Sequence, residues 1–140
     1  MPNRVTPEEA AKLIEQGYVY IDVRSIPEYE QGHPAGARNV PFMNYEGGRM
    51  VLNAEFMQVM EKLFPKDSKL VLGCKSGGRS LQAATLLERI GYKNLVDMRG
   101  GFDGEMNPHT GQMGVPGWSR VGLPVETTTA GGSYAELKKS

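Results

Sequence analysis

Apolar residues recur along the chain first at helical spacing and then in short unbroken runs, and the alternation of these patterns predicts its elements. Thr6-Pro7-Glu8-Glu9 reads as a helix start: Thr6 caps, Pro7 fits the first helical position, and Glu9 returns a bond to the cap backbone. Ala10, Leu13 and Ile14 follow at helical spacing, and Gly17 ends the helix. Tyr18 to Val23 is a β-rich run expected to form a buried strand ending at Arg24. A turn-prone Ser25-Ile26-Pro27 and a short helical Glu28-Tyr29-Glu30 come next. Gly32 to Val40 is expected as a loop leading into a further short strand, closed by Pro41.

In the second half, Asn53 is a candidate cap for a helix whose apolar face is Phe56, Val59, Met60, Leu63 and Phe64. Pro65 to Ser68 is a turn, and Lys69 to Gly73 is a strand with Cys74 at its carboxyl end. A helix from Ser80, with Leu81, Ala84, Leu87 and Ile90 on one face, stops at Gly91; Asn94 to Met98 is the last clear strand. Strands alternating with helices at this spacing predict an α/β fold with an open, mostly parallel sheet. Beyond Gly100-Gly101 the periodicity dissolves. Residues 103–117 are expected as a long loop, Trp118 as the return to the core, and 127–140 as a mobile tail in which Tyr134 to Leu137 could form one helical turn. Residues 1–126 are accordingly expected as one domain.

Composition narrows the function classes. A chain of 140 residues accommodates one core. The 16 basic and 16 acidic residues balance, which argues against a broad surface for nucleic acid or anionic lipid. No apolar run approaches the roughly 18 residues of a membrane span. The start of the chain is acidic and amphipathic without a basic-then-apolar signal, so a cytoplasmic location is expected. One cysteine permits no internal disulfide and no multi-thiolate zinc site, and His33 and His109 lie too far apart to favour a metal.

Cys74 is the chemical centre. It stands where a strand gives way to Lys75-Ser76-Gly77-Gly78-Arg79 and then to the helix at Ser80. In α/β folds, ligands bind at the carboxyl ends of strands. The glycines let the backbone curl so that amides converge on one anion, the helix amino terminus adds partial positive charge, and Lys75 and Arg79 add more. These terms favour a thiolate over a thiol. An inert, buried cysteine would have no use for two glycines and two cations beside it.

Four segments carry a resemblance. Asp22-Val23-Arg24 with Glu28-Tyr29, Gly32-His33-Pro34-Ala35-Gly36-Ala37-Arg38-Asn39-Val40-Pro41, the loop Cys74 to Arg79, and Gly100-Gly101 with Trp118 and Gly122-Leu123-Pro124-Val125 resemble, in order, the motifs of the single-domain rhodanese family. His-Pro-Ala-Gly-Ala replaces the commoner His-Ile-Pro-Gly-Ala, and 16 residues separate the glycine pair from Trp118 where the family usually has a few. The resemblance implies a rhodanese-like sheet flanked by helices on both faces and a two-step sulfurtransfer. Cys74 takes sulfur from a donor such as thiosulfate or polysulfide as a persulfide, then passes it to cyanide in an assay or to a thiol or protein acceptor. It implies neither a metal nor an organic cofactor. A sulfur-relay protein is a further candidate partner, with Cys74 then serving as a persulfide carrier.

Around Cys74, the residues Lys75, Ser76, Gly77, Gly78, Arg79 and Ser80 are the candidate substrate-binding loop. Lys75 is set against a merely solvated lysine. Arg79 either binds donor oxyanions or pairs with Asp22 or Glu28. Asp22 is placed to hydrogen-bond loop amides, and Arg24 with Glu28 reads as a structural ion pair. His33 is expected to fix its own loop, Trp118 to plug the core, and His109 to be exposed. A cysteine-dependent phosphatase is the enzymatic rival, but its signature places one more residue between cysteine and arginine than the four here, and a histidine where Gly73 stands. A non-catalytic binding module of the same shape commonly lacks the cysteine.

Overall fold

In a computed structural model, which describes residues 2–139, the capping signals lead into regular structure where the periodicity places it. Asn3–Val5 (β1) precedes Pro7–Glu15 (α1), whose Thr6/Glu9 capping box is formed. Val19–Asp22 (β2) leads to Ile26–Gln31 (α2), then His33–Pro34 (β3) and Arg38–Asn39 (β4). Met43–Glu46 (β5) and Arg49–Leu52 (β6) make a hairpin before Phe56–Leu63 (α3). Lys69–Gly73 (β7), Gly78–Arg89 (α4) and Asn94–Met98 (β8) follow. Gly104–Met106 (β9) and Met113–Pro116 (β10) form a second hairpin, and Val125–Glu126 (β11) and Tyr134–Lys138 (α5) close the chain.

The central sheet has the order β1-β8-β7-β2-β4 and is parallel throughout. Side-chain alternation splits its strands between two cores. Ile21, Leu70, Leu72 and Leu95 face Phe56, Met60, Ala84 and Leu87 of α3 and α4; Tyr20, Val71, Val96 and Met98 face Ala10 of α1, Tyr29 of α2, and Trp118. Helices therefore cover both faces, and every parallel strand points its carboxyl end to the same rim.

Several expectations are corrected. Ser25-Ile26-Pro27 is not a free turn but the capped start of α2, with the Ser25 N–H and hydroxyl both donating to Glu28 Oε1. Asn53 serves the start of α3 from two residues ahead of the cap position: its Oδ1 accepts the Glu55 N–H, and Glu55 is the residue before the first helical position. Residues 103–117 are not an irregular loop. Met113 pairs with Met106 and Pro116 with Gly104 in the β9–β10 hairpin, with a register shift between Met113 and Val115. Its strands carry glycine and proline and are half solvated, so no period of two reaches the sequence. Within the expected tail, Gly132, Tyr134 and Leu137 are buried and the helical turn expected over Tyr134 to Leu137 forms as α5, while Met1 and Ser140, the ends of the expected domain and tail, lie outside the described residues. Ser133 caps α5, Tyr134 and Leu137 are buried in the α3–α4 core, and the Tyr134 hydroxyl accepts from Asn53 Nδ2 at 3.0 Å. Two apolar residues three apart on one capped turn suffice to dock a segment whose polar, glycine-rich lead looks mobile.

This docking has a measurable energy. Leu137→Ala removes a buried side chain and should cost about 2 kcal/mol of unfolding free energy, whereas Lys139→Ala, on an exposed position, should change it by less than about 0.5 kcal/mol. Urea denaturation followed by circular dichroism checks both. Equal midpoints for the two variants would mean that the tail does not contribute to the core.

Candidate active site

β7 lies between β2 and β8, so the residue after it emerges at the middle of the carboxyl rim, and that residue is Cys74. The chain turns there through Gly77, at φ +109°, a left-handed conformation that costs a residue with a Cβ dearly. The turn brings the Gly77 N–H back onto Cys74 Sγ at 3.1 Å, and α4 begins with the next residue. A strap from the end of β8 holds the loop from outside. The Phe102 N–H donates to Cys74 O at 2.7 Å and the Asp103 N–H to Lys75 O at 2.9 Å. Gly101 passes so close that a Cβ on it would stand 2.5 Å from Cys74 O. Cys74 itself is 2% exposed, so the sulfur sits in a backbone cradle under the first turn of a helix, where amide dipoles favour negative charge.

The charged residues divide into tied and untied ones. Arg79 makes a two-pronged contact with Glu28 at 2.7 and 2.9 Å, the pairing alternative of its two expected roles. Burial alone would raise the Glu28 carboxyl, but the Arg79 fork and the Ser25 donors outweigh it and bring it down to about 2. Arg24 is a correction: its hydrogen-bonded partner is Asp22, through Nε at 3.0 Å and Nη2 at 2.7 Å, rather than Glu28. The Asp22 carboxylate, expected on the loop amides, is taken up by that guanidinium and by the Arg24 N–H. Arg24 also donates to Gly32 O and lies over the Phe102 ring at 4.6 Å. Lys75 is exposed and has no ion-pair partner among the described residues. It lines a cavity of about 240 Å³ together with Arg24, Glu28, Phe102 and Asp103.

Within the loop, Ser76 and Gly78 are exposed, but the Ser80 side chain is fully buried and donates to Gly77 O at 3.3 Å, so its hydroxyl faces inward and not toward a ligand. His33 stacks on Tyr29 and donates from Nδ1 to Tyr29 O at 2.7 Å, fixing its own loop. Trp118 is buried and donates to Pro124 O; His109 is exposed. Three polar residues beside the loop escaped the sequence reading: Arg4, Asp97 and Tyr20. Tyr20, buried beneath Gly73, has its hydroxyl pushed well above its usual range by burial, with Asp22 and Cys74 adding to the effect. The signal for Asp97 was available, since an acid within the apolar strand Leu95-Val96-Asp97-Met98 is seldom buried without purpose. Among the described residues, no three His, Cys, Asp or Glu side chains gather as metal ligands, and no helix is long and apolar enough to cross a membrane.

A cysteine in an amide cradle at the carboxyl rim of a parallel sheet with helices on both faces fits the family resemblance of the four segments, and the comparisons agree with it. The Rhodanese-like domain family matches residues 6–105, and the chain belongs to that family. It is 33% identical over 126 residues to thiosulfate sulfurtransferase 16, chloroplastic, of Arabidopsis thaliana, covering 90% of this chain and 94% of the relative. It is 32% identical over 124 residues to the thiosulfate sulfurtransferase GlpE of Haemophilus influenzae, covering 89% and 94%. The crystal structure of Rv0390 from M. tuberculosis superposes with a TM-score of 0.74 at 25% identity, covering 90% of this chain and 98% of that one.

The Glu28–Arg79 pair predicts an acid-side stability loss. Glu28 holds its proton less tightly folded (about 2) than unfolded (4.5), so its contribution is complete above about 4.5 and is lost as pH falls toward 2. Glu28→Gln should therefore be less stable than the parent near neutral pH, by on the order of 1–2 kcal/mol after solvent screening. The gap should close between about pH 4.5 and 2. Denaturant unfolding across that range measures it, and a gap independent of pH would contradict the pairing.

Proposed function

We propose that the protein is a sulfurtransferase that carries sulfur as a persulfide on Cys74. The Cys74 thiolate attacks the outer sulfur of a donor such as thiosulfate; the donor's S–S bond breaks and sulfite leaves with the electron pair. The terminal sulfur of the resulting persulfide then bonds to a nucleophilic acceptor, cyanide in an assay or a thiol in a cell, and Cys74 recovers its thiolate. Negative charge resides near Sγ in each resting state, first on the thiolate and then on the persulfide. The Gly77 N–H at 3.1 Å, pre-set under the amino end of α4, is the observation that carries this reading, because it offers charge stabilisation that needs no rearrangement as sulfur moves. The names of the Arabidopsis and Haemophilus relatives support it. No general base is required if the cysteine enters the step ionised.

Of the two cations, Lys75 is the one placed to meet the donor's oxyanion, since Arg79 is committed to Glu28 and serves to hold α2 against the loop. The β9–β10 hairpin grows directly from the Phe102-Asp103 strap, and Asp103 lines the same cavity, so this hairpin forms a rim that limits the size of acceptors.

Incubating the protein with thiosulfate and weighing it intact should show the addition of one sulfur atom, and Cys74→Ser should show neither that addition nor thiosulfate:cyanide turnover while retaining its circular dichroism. Turnover by the serine variant would remove the assignment. Lys75→Ala should raise the KM for thiosulfate roughly three- to tenfold, the reach of a partly solvated charge-assisted contact, with kcat little changed. Unchanged kinetics would make Lys75 a bystander. Replacing residues 105–115 with a short turn should raise the relative rate with bulky thiols while leaving that with cyanide near its parent value, and identical ratios in a folded variant would exclude the rim.

A further inference from the structure

One charge at the cavity beside Cys74 has no use in the donor step. Of the charged residues lining this space of about 240 Å³, Arg24 is taken up by Asp22 and Glu28 by Arg79. The other two, Lys75 and Asp103, make no side-chain ion pair or hydrogen bond among the described residues. Their backbones are tied, the Asp103 N–H donating to Lys75 O at 2.9 Å, yet their side chains stay unpaired. Arg120 Nε holds Asp103 from the other side, but by its carbonyl, at 2.6 Å, which leaves the part-buried carboxylate free. Gln31 adds an exposed amide to the lining, and the Phe102 ring, with Arg24 stacked over it, adds an apolar wall.

Thiosulfate is doubly negative, and a wall meant only for such an anion gains nothing from a free carboxylate, which repels it. A free carboxylate and a free ammonium on one cavity instead match a ligand that carries both charges. The size agrees. Pockets for drug-sized molecules run from roughly 300 to 1,000 Å³, so about 240 Å³ suits a ligand of amino-acid size. The place agrees as well. Lys75 is the residue after Cys74, and Phe102, also in the lining, donates its N–H to Cys74 O at 2.7 Å. A ligand seated there lies beside the residue that carries sulfur.

We propose that Asp103 determines acceptor specificity: with Lys75 it selects a small thiol bearing both an ammonium and a carboxylate, an amino-acid thiol such as cysteine. The transfer itself rests on the persulfide reading, whereas the binding of the doubly charged ligand does not. Lys75 first meets the oxyanion of the donor. Once sulfite has left, the same side chain meets the acceptor's carboxylate, and Asp103 meets its ammonium. The acceptor thiol gives its proton to solvent, and the thiolate attacks the outer sulfur of the Cys74 persulfide. The S–S bond to Sγ breaks, the electron pair returns to Cys74, and the acceptor departs as a persulfide. Cyanide, with neither charged group to offer, makes no use of the pair.

The test loads the protein with sulfur from thiosulfate, removes the donor, and follows loss of the added sulfur atom by intact mass. The acceptors are L-cysteine, cysteamine, which lacks the carboxylate, and 3-mercaptopropionate, which lacks the ammonium. These thiols differ in intrinsic reactivity, but the difference cancels when a ratio of two acceptors is compared between parent and variant. Salt at about 0.5 M screens charges that are not in contact. Asp103→Asn should lower the cysteine to 3-mercaptopropionate ratio about three- to tenfold, the worth of a partly solvated charge-assisted contact. Lys75→Ala should lower the cysteine to cysteamine ratio by a similar factor. Either ratio unchanged in a folded variant would overturn the proposal. A second readout needs no transfer: S-methyl-L-cysteine, with both charges and no thiol, should slow alkylation of Cys74 by iodoacetamide in the parent and less so in Asp103→Asn. In a protein that takes up no sulfur, protection weakened by Asp103→Asn would keep the site and reject the persulfide reading. Protection equal in the two proteins, or absent from both, would reject the site.

Discussion

The contact between Gly101 and the backbone at Cys74 is the constraint on which the rest of the rim depends. Two strand ends of a parallel sheet are brought close enough that only hydrogen fits between them, and the Phe102 and Asp103 amides then bond to the carbonyls of Cys74 and Lys75. With the outer edge of the loop fixed this way, the turn at Gly77 has one course to follow, and its N–H arrives at the sulfur. An anion site made from backbone groups needs such rigidity, because amides that must reorient lose much of the electrostatic advantage they offer. The parallel sheet supplies the rigidity: β7 is bonded on both sides by β2 and β8, and its residues alternate between two separate apolar cores.

Charge is distributed with the same economy. Of the charged side chains nearest the rim on the α2 side, Asp22, Arg24, Glu28 and Arg79 are spent on architecture. Arg24 clasps Asp22 and the Gly32 carbonyl, and Glu28 joins the cap of α2 to Arg79 at the start of α4. These pairs are partly or wholly buried, where a lone charge would be expensive and a paired one fixes geometry. Lys75, by contrast, has no ion-pair partner among the described residues. It stands exposed at the edge of the polar cavity that the paired residues help to line.

Much of this was legible in the residues. The Thr6 capping box, the strand-to-glycine-loop junction at Cys74 and the stop at Gly91 are local signals, and local signals survive in a sequence because their physics involves neighbours in the chain. The β5–β6 hairpin was also legible and was missed: Gly47-Gly48, both at positive φ, form the two-residue turn that favours such hairpins. What the sequence conceals is pairing at a distance. Arg24 sits four residues from Glu28, which looks like a helical pair, yet the fold turns it back onto Asp22. Arg4 and Asp97 lie 93 positions apart and meet only because β1 adds to the sheet beside β8. The β9–β10 hairpin was obscured for another reason, since its strands keep their side chains part-exposed or exposed and leave no run long enough to show a period, whereas the helical turn at Tyr134 to Leu137 was legible.

The segment before α5 has a role that reaches beyond its own stability. β4 is the outer strand of the sheet, and the backbone N–H of Asn39, which would otherwise face outward, donates to Gly132 O at 2.8 Å. The chain's last turn thus occupies the bonding position that a strand from another molecule would take. A sheet edge of two residues, closed over by its own carboxyl-terminal segment, offers no template for edge-to-edge association. At this edge, next to the rim that carries the thiol, the molecule is thereby closed to pairing through its backbone, whatever becomes of its sulfur.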